Sequence, residues 1–77
     1  MTEPEGKTVM WEAKAAHGAD EALLAWVLAH APESADVYRS PDGRVVVIDH
    51  EAAGLPEAPA ELLDRPAHTW RFTPVPR

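Results

Sequence analysis

The stretch ADVYRSPDGRVVVID, residues 35–49, decides the fold. At its centre stands Ser40-Pro41-Asp42-Gly43. Pro41 presets the first turn dihedral and Gly43 admits a positive φ, so the four residues predict a hairpin turn. Val37 and Tyr38 mark a short strand over residues 35–39. After the turn, Val45, Val46, Val47 and Ile48 run without a break. A β-branched run bounded by a turn predicts a strand, residues 44–49, covered on both faces. Its two faces carry Val45 and Val47 on one side and Val46 and Ile48 on the other. Either pair can meet the core.

On the N-terminal side of the hairpin the period changes. Asp20 and Glu21 open a helix, since acids favour a first turn whose exposed N–H groups carry partial positive charge. Leu23, Leu24, Val27, Leu28 and Ala31 give it one wide apolar face. Pro32 ends it by denying Ala31 helical dihedrals. Before the helix, residues 8–16 alternate. Val9, Trp11, Ala13 and Ala15 point one way and Met10, Glu12 and Lys14 the other, which predicts a half-buried strand.

On the C-terminal side, Gly54, Pro56 and Pro59 punctuate a loop. Residues 59–64 have room for a helix of one or two turns, with Pro59 in the first turn, where its missing N–H costs nothing. Residues 68–73 alternate again, with His68, Trp70 and Phe72 on one side and Thr69, Arg71 and Thr73 on the other. Pro74 and Pro76 then end sheet pairing.

The order β-α-β-β-α-β predicts an α+β fold of ferredoxin-like type: a four-stranded antiparallel sheet with helices on one face. The 77 residues fit a single domain, residues 1–77, with a folded part near 8–73 and tails at 1–6 and 74–77.

Composition narrows the partners. Cysteine is absent, so neither a disulfide nor a cysteine-held metal or cluster can staple so small a core. The formal charge of −6 and the scatter of seven basic residues argue against nucleic acid. The longest apolar stretch, residues 22–29, is far short of the roughly 20 residues of a membrane span. The N-terminus is acidic and polar, without the basic start and apolar run of a signal peptide, so a cytoplasmic location is expected. No cofactor is called for.

A sheet layered on one face leaves the other to be covered. Self-association is the staple that remains, so a homodimer is expected, with Met10, Glu12, Lys14, Val45, Val47 and Arg71 at the interface. Trp11 and Trp70 share the parity of inward-facing residues on strands expected to be neighbours, and Glu12 and Arg71, on the opposite face, have the parity to pair across them.

Three segments carry a family resemblance: residues 9–15, the helix 20–31 and the hairpin 37–47. In element order and pattern, over about residues 8–73, the chain resembles the dimeric α/β barrel superfamily, nearest to the small proteins grouped with antibiotic biosynthesis monooxygenases. The resemblance implies two sheets packed face to face as a barrel with helices outside. It also implies relatives that include cofactor-independent quinone-forming monooxygenases and haem-degrading enzymes. The chain departs from the pattern in two ways. Its second helix is too short to roof a pocket of roughly 300 Å³ or more, and it contains no Asn for a haem-degrading triad.

Candidate site residues follow. Trp11, Tyr38 and Trp70 are the aromatic groups that could line a cavity for a planar ligand; as large core fillers Trp11 and Trp70 need no ligand. His17 and His68, near one rim of the sheet, are candidate general bases, because imidazole titrates near neutral pH. Trp26, at the edge of the helix's apolar face, suits a boundary or an interface. No histidine pair has the i, i+4 spacing of a helical zinc site. The expected role is a small binding or interaction module without its own chemistry, taking a small aromatic ligand or a larger protein partner. The alternative is a cofactor-independent monooxygenase acting on an aromatic polyketide-like substrate.

Overall fold

A computed structural model describes residues 6–77. The expected N-terminal tail lies, but for Gly6, outside the described residues. At the hairpin, Gly43 N donates to Ser40 O at 3.3 Å, and Ser40 N donates to Arg44 O at 2.9 Å. The Ser40 hydroxyl donates to Asp42 and accepts from Arg44 N. Gly43 takes φ +87°, the left-handed conformation for which glycine is suited.

The elements are β1 (Thr8–Lys14), α1 (Asp20–His30), β2 (Asp36–Arg39), β3 (Arg44–Asp49), a 3₁₀ turn (Ala60–Leu62) and β4 (His68–Phe72). Every strand pairing is antiparallel, and the sheet order is β2-β3-β1-β4. This α+β arrangement of four strands and one helix is compatible with a ferredoxin-like fold. Among the described residues no helix is long and apolar enough to cross a membrane.

The helix ends where Pro32 dictates. Ala31 is already extended at ψ 145°, while its N–H still closes the last turn on Val27 O. No side chain caps the N-terminus, and the first turn relies on Asp20 and Glu21. Leu23 and Val27 are buried against Trp11, Ala13, Ala15, Val45 and Val47. The core therefore lies between α1 and one face of β1 and β3.

Register settles the face of each strand. Trp11 pairs with Val47 and Ala13 with Val45, so Val45 and Val47 lie under the helix, and Val46 and Ile48 occupy the opposite face. The expectation of cover on both sides of β3 thus holds on one side only. Val45 and Val47 are core residues, not interface residues.

On β4 a second correction follows. Met10 pairs with Trp70, and Trp11 pairs with Thr69. Trp70 is therefore on the open face, opposite to Trp11, while Thr69 and Arg71 share the helix side. No helix covers β4, and all five of its residues are exposed. Arg71 sits opposite Val9, and Glu12 is instead 3.4 Å from Arg44.

The predicted second helix shrinks to the 3₁₀ turn. Leu63 is extended at ψ 136° and bridges to Ala15. Two backbone hydrogen bonds fix it there, Ala16 N to Leu62 O and Asp64 N to Lys14 O, both 2.9 Å. A strand-like bridge and Pro66 leave too few residues to propagate a helix.

Candidate functional site

Two surfaces stand out, one on each side of the sheet. The first is the open face. Met10, Val46 and Ile48 are half-buried there, and Tyr38, Trp70 and Phe72 are 59%, 42% and 49% exposed. Register makes them contiguous: Ile48, Met10 and Trp70 form one cross-strand row, Tyr38 stands beside Val46, and Phe72 beside Thr8. The His68 ring stacks on Trp70 with centroids 5.7 Å apart. Lys14 and Arg44 face each other at one end of this surface. Toward the other end, Asp36 accepts from or pairs with His50 at 2.9 Å.

Glu12 lies between, with the Arg44 Nη1 at 3.4 Å. Arg44 Nε is buried without a hydrogen bond; Asp42 Oδ2 at 3.4 Å gives it an ion-pair contact only. Asp42 itself is held below the ordinary carboxylate range, first by the Ser40 hydroxyl and, after desolvation acting the other way, by the charges of Arg44 and Lys14.

The second surface is a cleft of about 740 Å³ on the helix side. It lies where a second helix would roof the sheet. Val9 and Trp11 line it from β1, Asp49 from β3, Thr69 and Arg71 from β4, and the loop from Ala52 to Ala67 supplies the rest. As expected from the short second helix, no helix roofs a pocket here; the loop instead leaves an open cleft. Asp49, 1% exposed, anchors the loop. Its two carboxylate oxygens accept the N–H groups of Glu51 at 3.0 Å and Gly54 at 2.8 Å. Such a turn, an Asp bonding backbone groups just ahead of it, is a known use of that side chain. The run Asp49-His50-Glu51-Ala52-Ala53-Gly54 carries that signal.

The expected ligand residues do not converge. Trp11 is a buried floor residue on the helix side; Tyr38 and Trp70 are on the open face. Trp26 packs on Trp11 at 6.2 Å between ring centroids and stacks on His30 at 4.6 Å, so it is a core-edge residue. The His30 Nδ1–H donates to Trp26 O at 2.8 Å. His17 is exposed in the turn after β1, whereas His68 pairs with Glu12 within the sheet, so the two are not neighbours. Neither lines the cleft. The cleft offers apolar surface, the guanidinium groups of Arg65 and Arg71, and the carboxylates of Asp49 and Glu57. Among the described residues no group of three or more potential metal ligands gathers. Comparison with protein-family models, with curated proteins and with solved structures finds no match.

Proposed function

We propose that this chain is a self-pairing binding module without chemistry of its own, in which a second copy covers the open face of the sheet. The observation that carries the reading is the contiguous apolar surface of Met10, Tyr38, Val46, Ile48, Trp70 and Phe72. Isolated exposed hydrophobics need no explanation, but a joined patch rimmed by charge marks an interaction surface. Withdrawing the exposed part of these six side chains from water contributes about 0.5–1 kcal/mol apiece. That sum is of the order of the lower estimates for the cost of association, about 4 kcal/mol.

A second copy fits the rim as well as the centre. A two-fold contact pairs one patch with itself. With the axis in the plane between the sheets and across the strands, the Lys14 and Arg44 end of one copy lies over the Asp36 end of the other. Of the interface residues expected from sequence, Met10, Glu12 and Lys14 belong to this surface.

The test is charge insertion. Trp70→Glu is expected to convert a dimer to a monomer in light scattering while the circular dichroism spectrum is unchanged. Leu28→Glu, an exposed position on the helix, is expected to leave the dimer intact. A Trp70→Glu protein with the mass of its parent would contradict the reading.

A further inference from the structure

We propose that the cleft between the loop of residues 50–67 and the helix side of β1 and β4 is a binding site for a small amphipathic monocarboxylate, an apolar body carrying one anionic head. The site is separate from the open face and does not depend on self-pairing.

Its size is right for such a ligand. The cleft measures about 740 Å³, within the roughly 300–1,000 Å³ of small-molecule sites. Val9 and Trp11 form its apolar floor, Leu55 and Leu63 add apolar wall, and Arg65 and Arg71 supply the cationic groups. The wall is held before any ligand arrives. Asp49 ties down the start of the loop through two backbone N–H groups. Near its other end, residues 62–64 are bonded to Lys14, the last residue of β1, and to Ala16 just beyond it. A pre-formed wall spares the ligand the cost of ordering a loop.

Charge selects the head group. Arg39 and Arg44 are each paired with carboxylates. Arg65 and Arg71 have no carboxylate partner among the described residues; Arg71 donates from Nη1 to Gly6 O at 3.1 Å and keeps its other donors. A guanidinium presents a planar fork that a carboxylate matches with two parallel hydrogen bonds. Asp49 also lines the cleft; its two oxygens accept N–H groups of the loop, and it makes no ion pair with either guanidinium among the described residues. Glu57 also lines the cleft and disfavours a second negative charge, so a carboxylate suits the site better than a phosphate dianion. An alcohol of the same chain length would bury its tail equally without an ionic contact, and an ammonium head would be repelled by both guanidinium groups.

Calorimetric titration of the full chain with decanoate, decanol and decylamine tests this. Decanoate should bind one molecule per chain, about tenfold more tightly than decanol, the ratio that 1.4 kcal/mol of head-group contact gives. Decylamine should bind more weakly than either. The double variant Arg65→Gln with Arg71→Gln should lose the tenfold preference and keep the affinity for decanol; both positions are exposed. Trp70→Glu should leave decanoate binding unchanged. The proposal is overturned if decanoate and decanol bind the parent alike, if decanoate does not bind, if the double variant retains the preference, or if Trp70→Glu abolishes binding and so places the ligand on the open face.

Discussion

Ala52 holds φ +52°, a left-handed conformation that crowds its Cβ against the backbone. An L-residue there costs roughly 1–2 kcal/mol, and glycine escapes most of it. The strain sits inside the loop that Asp49 anchors, three residues after the anchor. Ala52→Gly is therefore expected to raise stability by about 0.5–1 kcal/mol, the gain being reduced by glycine's greater freedom in the unfolded chain. Urea denaturation checks it, and a lowered midpoint would show that the loop does not need this conformation. Asp42 gives a residue-scale prediction of another kind. The Ser40 hydroxyl stabilises its charged form, so its folded value lies below the ordinary carboxylate value of about 3.9. The turn's contribution is thus fully present above that ordinary value and fades as pH falls through the lower folded one. An NMR titration of the Asp42 carboxyl should move up toward the ordinary value in Ser40→Ala.

The hairpin is the element that the residues specify most completely. Pro41, Gly43 and the valine run each answer a local demand, and β2 and β3 form within a residue of where those demands place them. Gly43 has a second task that no local pattern discloses. A Cβ there would lie 3.0 Å from Asp20 Oδ2, at the start of α1, so a side chain would have to displace the exposed Asp20 carboxylate. Gly43→Ala is expected to cost about 1–2 kcal/mol, chiefly from the positive φ. A chemical denaturation midpoint equal to the parent's would refute that cost. The facing of β4 was not legible for a related reason. Alternation separates His68, Trp70 and Phe72 from Thr69 and Arg71, but it cannot say which set turns toward the helix side. That depends on what roofs the strand, and the roof failed to form once Leu63 bridged to Ala15. The cleft and its arginines were hidden with it, since they exist only where the second helix is missing.

At the scale of the molecule, one helix packs on β1 and β3 of a four-stranded sheet, and that side holds a core of Trp11, Leu23, Val27, Val45 and Val47 with their neighbours. Composition and element order suffice to place this α+β layering, and the absence of cysteine leaves pairing as the remaining staple for so small a core. The particular side chains on the uncovered face follow from register, a long-range property. A sheet whose second face carries Trp70, Phe72, Tyr38, Met10, Val46 and Ile48 gains stability when a copy shields it, and such stability rises with protein concentration. Sedimentation velocity of the unaltered chain across the micromolar range addresses this directly. The account predicts a species of twice the 8.4 kDa chain mass, giving way to the single chain on dilution. A folded 8.4 kDa species throughout that range would contradict it.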